Sequence, residues 1–357
     1  MDMHASLLSR KSRFGRLAFV LVGLALSGVG CARPKVELDR GPFTIAMLPD
    51  TQRYSEQRPD LFFAQTKWIK QNARRENIRF VTHVGDLVQN RSKNPSEWRT
   101  ADKAMAVLDG VVPYGVAIGN HDYDSGDGVN KGIATMYLQY FDPDKRFKGR
   151  PGYGGASPNR LNSYHLLSAG GIDFVMLYLE VDAPDDALAW AKGVLDQYPT
   201  RAAIVSIHTY MRHRGKEGGR ETKREYRKDG NDGEDIWQKF VRCNPQIFMV
   251  LCGHVGGLVE YHQISKNDAG ADVLEMLADY QGRENGGDGW LRLIRFVPAS
   301  REIQMRTYSP VLNKFETDAN SQFVVPLVLP ARCWPQPSLA RARLSLPAEP
   351  AEVAQAH

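Results

Sequence analysis

Five short polar stretches follow the apolar runs of this 357-residue chain: Asp50-Thr51-Gln52, Gly85-Asp86, Gly119-Asn120-His121-Asp122, His208 and Gly253-His254. Each stands where a strand-like run ends, and apolar packing does not account for them. Carboxylate, carboxamide oxygen and imidazole together suit first-row divalent metals. In open α/β sheets, sites form at the carboxyl ends of strands. Residues i and i+2 of an extended chain share a face, so Asp50 and Gln52 are expected to reach one ion together. Asp86 has two oxygens and can bridge two ions. Asn120 can offer its amide oxygen while His121, its neighbour, points toward substrate. His208 and His254 supply imidazole nitrogens. Gly85, Gly119 and Gly253 precede the key residues, where a tight turn needs an unhindered backbone.

Taken singly, each stretch has a plainer reading. Asp50-Thr51-Gln52 could be a turn or helix cap, and Asp86 and Asn120 ordinary turn residues. His208 and His254 could be core histidines, and His121 and Asp122 purely structural. Alternation puts His83 opposite Asp86, a structural position. His262 lies past a turn and could fold back toward the site, whereas His165 and His213 have no partner pattern. The charged segment 212–235 reads as a solvated loop or as a basic lid over an anionic substrate. Tyr280 and Arg283 could contact phosphate or belong to a sheet edge or turn.

The elements that must position these residues alternate. Strand patterns at 43–49, 78–84, 113–119, 172–181, 201–208 and 246–252 are separated by helical patterns at 59–77, 94–110, 133–141, 184–198 and 233–243. In the first helical segment either Phe62 and Ile69 or Leu61 and Trp68, seven apart, define the buried face. The last third is strand-rich. This order predicts an α/β domain with buried sheets and a second sheet packed on the first. With no linker-like break, 43–329 reads as one domain, preceded by a linker (31–42) and followed by a Pro- and Ala-rich flexible tail (330–357).

Composition is that of a globular protein, with 42% apolar and 24% charged residues. Of the net charge of +5, +3 lies in the first thirty residues (Arg10, Lys11, Arg13 and Arg16 against Asp2), and the remainder indicates no nucleic-acid partner. That basic segment precedes ten apolar residues (17–26), about 15 Å of helix against the roughly 30 Å of a bilayer core. Basic start, short apolar core and small residues read as a secretory signal over 1–30. Cys31 follows directly, resembling a bacterial lipoprotein signal in which that cysteine carries the lipid. Gly28 and Gly30 also suit ordinary signal cleavage. The expected location is therefore exported and membrane-anchored. Cys243, Cys252 and Cys333 form no C-x-x-C pair and support neither a disulfide framework nor a thiolate zinc site.

The ordered set D-x-[HQ], GD, GNHD, H and GH resembles the calcineurin-like metallophosphoesterases over roughly 43–325. Late segments Asp279–Arg292 and Thr307–Pro310 look like an exported bacterial branch. The resemblance implies two packed mixed β-sheets flanked by helices in four layers, with two divalent metals at the strand ends. It implies Asp50 and Gln52 at the first metal, Asp86 bridging, and Asn120, His208 and His254 at the second. His121 becomes the proton donor to the leaving group, oriented or tuned by Asp122. Mn, Fe or Zn would suit these ligands. Two departures stand out: Gln52 replaces a usual histidine, and Gly256 replaces the family's last histidine. The first metal is therefore expected to bind more weakly, completed by water or substrate oxygens. The implied reaction is hydrolysis of a phosphomonoester or phosphodiester, two metals holding a hydroxide between them for in-line attack. A metal-binding surface lipoprotein of weak activity and a nuclease-like phosphodiesterase are the alternatives.

Overall fold

The computed structural model describes residues 41–125, 132–214, 217–224, 226–254 and 259–334. The expected signal, Cys31, most of the linker, Gly256 and the tail from 335 lie outside them.

The strands form two seven-stranded mixed sheets. The first holds β1 (Phe43–Leu48), β2 (Ile78–His83) and β3 (Tyr114–Val116) in parallel. Beside β1 runs β13 (Leu291–Val297), antiparallel, then β14 (Glu302–Ser309), which pairs both β15 (Lys314–Glu316) and β16 (Phe323–Pro326). The second sheet has a parallel centre of β6 (Ile172–Leu179), β7 (Ala202–Ile207), β10 (Ile247–Cys252) and β12 (Asp272–Asp279). Its antiparallel flanks are β4 (Tyr153–Ala156) and β5 (Ser163–Ala169) on one side and β11 (Val259–Lys266) on the other. A hairpin of β8 (Met211–Arg214) and β9 (Glu217–Arg220) stands apart. β1, β7 and β10 are buried along their whole length. That is why they read as unbroken apolar runs rather than alternating ones.

Three apolar clusters define four layers. Phe43, Ile45, Phe174, Ile204, Met249 and Phe296 pack the two sheets together. Ala46, Leu48 and Val81 cover the outer face of the first sheet with α2 (Pro59–Asn72) and α3 (Pro95–Ala106). Val175, Leu177 and Val205 do the same for the second sheet with α6 (Asp185–Gln197) and α7 (Gly233–Ile236), which runs on as a π-turn over Trp237–Val241. Short helices α1 (Gln52–Gln57), α4 (Thr135–Tyr140) and α5 (Pro143–Phe147) complete the first helical side. The expected layering is present.

Particular boundaries differ. α2 buries Leu61, Phe62, Gln65, Thr66 and Ile69, with Trp68 half-buried beside them, so the buried face centres on Phe62 and Ile69 and takes in Leu61 as well. It ends five residues early because the turn into β2 places Asn77 at φ 47°. The first residues of the segment expected as a tail pack on the domain: Cys333 is buried in the inter-sheet core, and the Trp334 indole donates to the Leu329 carbonyl (3.2 Å). Among the described residues no helix is long and apolar enough to cross a membrane.

Candidate metal centre

The carboxyl ends of β1, β2 and β3 in one sheet and of β7 and β10 in the other converge. Each carries one of the polar stretches. Ligand atoms of Asp86, His208 and His254 lie within 4.8 Å of one another.

Asp86, past the end of β2, is fully buried and held at φ 56° after Gly85 at φ 102°. One oxygen accepts from the His121 backbone N–H (2.8 Å), and the other from Gln52 Nε2 (2.8 Å). That second oxygen also lies 3.3 Å from His208 Nε2. Burial opposes the charge of Asp86, but His208 and His121 outweigh it and hold the carboxyl well below the usual range. A side chain at Gly119 would strike the Asp86 backbone and carboxylate, and one at Gly253 would strike Asp50. Those two glycines are therefore demanded by close approach, and Gly85 by its positive φ.

His208 Nδ1 lies 3.0 Å from the Val84 carbonyl, and Nε2 lies 3.0 Å from Asn120 Oδ1. The Nδ1 N–H donates to Val84, so Nε2 is the nitrogen that faces Asn120 and Asp86. Burial pushes His208 down, yet Asp86 and Asp50 overcome it and raise the imidazole to about 10. At that value Nε2 carries a proton toward Asn120 Oδ1 and Asp86, and a metal cation held by the same three groups would take that proton's place. His254 sits at φ 72°, strained for a non-glycine, and its ring meets that of His208 edge-on at 4.9 Å. Burial, then His208, depress it to about 3, so it stays neutral as a metal ligand must. Its backbone N–H donates to Asp50 (3.1 Å), and its Nε2 lies 3.0 Å from the Tyr226 hydroxyl.

Asp50 and Gln52 both reach the site, but not as neighbours on one extended strand. Gln52 opens α1, with Thr51 as the residue before it. Gln52 donates to Asp86 while its own Oε1 is buried with no hydrogen-bond partner. An orphaned carboxamide oxygen beside buried carboxylates fits a metal ligand. Burial, then Asp279, raises the Asp50 carboxyl well above its ordinary value. A cation would relieve that repulsion. The residues present therefore fit a metal centre.

His121 is half-buried, with Nδ1 2.7 Å from the Gln89 carbonyl. Asp122, expected to orient or tune His121, bonds to backbone. Its carboxylate accepts from the backbone N–H groups of Leu87 (2.9 Å), Val88 (3.3 Å) and Gly119 (2.8 Å). It thus clamps the Asp86 loop to the Asn120 loop, while the Gln89 carbonyl orients the His121 ring. Burial, then Asp86, push the Asp122 carboxyl up to about 8.

Other expectations resolve locally. His83 bonds Thr51 Oγ1 (2.9 Å) and accepts from the Gly85 N–H, a structural role. His262 stacks on Phe323 at 3.8 Å and bonds Asn320 instead of turning to the site. Arg283 pairs with Glu260 (2.6 Å) and Glu316 (2.8 Å). The charged segment after β9 is pinned: Asp182 accepts from the Tyr226 N–H, and buried Glu180 pairs with Arg227. Tyr226 from that segment, Asp279 at the end of β12 and Gln281 just past it also stand at the site, where the sequence pattern does not place them. A cavity of about 490 Å³ lined by Tyr114, Phe147, Tyr153 and His165 contains none of the candidate residues, so chemistry rather than volume locates the site.

The model of the calcineurin-like phosphoesterases matches residues 43–257, and the chain belongs to that family. That family is dinuclear-metal dependent. The chain is 36% identical over 284 residues to the protein YvnB of Bacillus subtilis (strain 168), covering 77% of this chain. It spans only 21% of that protein's length. Purple acid phosphatase PPD1 of yellow lupin (Lupinus luteus) shares the fold at TM-score 0.51 and 15% identity, covering 84% of this chain and 57% of its own. A dimetal phosphatase from Danio rerio does so at TM-score 0.53 and 12% identity, covering 80% and 99%.

Proposed function

We propose that this chain is an exported phosphoesterase that hydrolyses a phosphomonoester or phosphodiester with two divalent ions, held at Asp50, Gln52 and Asp86 and at Asp86, Asn120, His208 and His254. The observation that carries the reading is the convergence of Asp86, His208 and His254 with the Asn120 amide oxygen. When bound, two ions supply Lewis acidity: they neutralise charge on the phosphoryl oxygens and acidify a water. The Val84 carbonyl fixes the His208 tautomer, and the Asp122 clamp keeps Asp86 and Asn120 in register. His121, oriented through Nδ1 by Gln89, has Nε2 left to protonate the departing oxygen. An open cleft lined by Arg53, Gln57, Arg58 and Gln281 borders the site and offers guanidinium charge to an anionic substrate.

Order of basic, apolar and small residues before Cys31 supports export with a lipid on Cys31, and residues 1–30, 31–42 and the end of the chain as signal, linker and tail. Lipoproteins need more than one acyl chain for stable anchoring. Mass spectrometry of the mature N-terminus should find an acylated Cys31; an unmodified terminus or an intact Met1 refutes the lipid. Turnover of 4-nitrophenyl phosphate and of bis(4-nitrophenyl) phosphate, each with and without Mn²⁺, tests the function. Metal-dependent turnover of either ester is expected. Metal binding without turnover would favour a catalytically weak surface lipoprotein, and turnover of the diester alone a nuclease-like phosphodiesterase.

A further inference from the structure

β12 runs parallel to β10, with Cys252 level with Leu277. Continuing that register two residues puts Asp279 level with His254, at the same end of the sheet. Asp279 is fully buried. One of its oxygens accepts from the Gln281 N–H and the other from Gln281 Nε2, both at 3.1 Å. The same Nε2 donates to Asp50 (3.2 Å), and Gln281 Oε1 accepts from Gln52 Nε2 (2.5 Å), which also donates to Asp86. Two carboxamides thus tie together three buried carboxylates, those of Asp50, Asp86 and Asp279. The oxygen of one of these amides, Gln52 Oε1, is buried without a partner. Like charges collected out of water are costly unless a cation joins them, and an acceptor with no donor points to the same missing charge.

We propose that Asp279 is a ligand of the first metal, filling the place left by the imidazole that Gly256 does not provide, with Gln281 positioning it against Asp50. The assignment rests on the two-metal reading above. The first position is then ligated by oxygen alone, from Asp50, Gln52, Asp86 and Asp279, whereas the second keeps the imidazoles of His208 and His254. Oxygen-only sites suit harder ions such as Mn²⁺ or Mg²⁺, and imidazole favours Zn²⁺. The two positions therefore differ in the ion they select.

Metal content of the full chain, stripped and dialysed against Mn²⁺, tests this directly. Wild type should hold two equivalents. Asp279→Asn should keep the equivalent at Asn120, His208 and His254, and bind the other ~10²-fold more weakly, at least the loss seen when a mere outer partner of a ligand is removed. Gln281→Ala should weaken the same equivalent by a smaller factor. An Asp279→Asn protein holding two equivalents at wild-type affinity overturns the assignment while leaving the two-metal reading intact. Wild type holding fewer than two overturns that reading, and this one with it. A second arm needs no variant: titrating Zn²⁺ into the two-Mn²⁺ protein should displace one Mn²⁺ well before the other. Displacement of both at one Zn²⁺ concentration would refute an oxygen-only first position.

Discussion

Replacing Asp122 separates a clamp from a catalytic tuner. Its carboxylate receives two strong hydrogen bonds, from Leu87 and Gly119 N–H, and a longer one from Val88. A buried N–H stripped of its acceptor costs about 1–3 kcal/mol. Asp122→Ala removes the acceptor for both strong bonds, so the loss is roughly 2–6 kcal/mol, a large share of the 5–15 kcal/mol typical of a folded domain. Asp122→Asn keeps one oxygen and turns an amide N–H₂ toward one of the donors, for roughly 1–3 kcal/mol. Urea denaturation should therefore rank wild type above Asn above Ala. Metal affinity should fall in the same order, because the clamp joins the loops that carry Asp86 and Asn120. If Asp122→Asn keeps both stability and metal and loses only turnover, Asp122 acts on His121 and the clamp account is wrong.

Asn120→Ala and His254→Ala should abolish hydrolysis with loss of bound metal, whereas His121→Ala should keep the metal and lower turnover by roughly 10²–10⁴-fold; metal analysis beside kinetics tells them apart, and metal loss in His121→Ala refutes its role as proton donor. Arg227→Ala leaves Glu180 as an unpaired buried carboxylate and should cost about 3–5 kcal/mol in urea unfolding, with an unchanged midpoint counting against a buried pair. His165 is depressed to about 3 by burial among Phe80, Phe147 and Tyr178, and its Nε2 has no partner. The unfolded chain therefore takes up this proton first, below pH ~6.5, so the folded state loses stability as pH falls toward 4. His165→Phe should escape about 3 kcal/mol of that loss. Parallel stability–pH curves for the two proteins would refute it.

Strand ends are legible where a largely apolar run stops at a polar residue, as at Asp50, Asp86, His208 and His254. Burial on both faces makes that contrast sharp. The run 272–279 shows that contrast less clearly, because Glu275 interrupts it before it ends in Asp279. It escaped notice because only the pairing of β12 beside β10 makes it a neighbour of His254, and pairing order is a long-range property. Gln52 reaches the site from the first turn of α1 rather than along an extended strand, since the chain turns into α1 just after Asp50. The clamp at Asp122 was hidden because its partners are backbone N–H groups, which carry no sequence signal. Strands β4, β5, β8, β9, β11 and β15 carry no clear sequence pattern, because glycines, histidines and charged residues blur their alternation.

One titration bears most directly on the central claim that Asp50, Gln52, Asp86, Asn120, His208 and His254 hold the metals that hydrolyse a phosphoester. Metal-stripped protein receives Mn²⁺ stepwise while bound metal and aryl phosphate or phosphodiester turnover are followed in the same samples. The account predicts negligible turnover without metal, little gain with the first equivalent and a rise as the second binds, all of it absent in Asp86→Asn. Full turnover in the stripped protein, or undiminished turnover in Asp86→Asn, would contradict it.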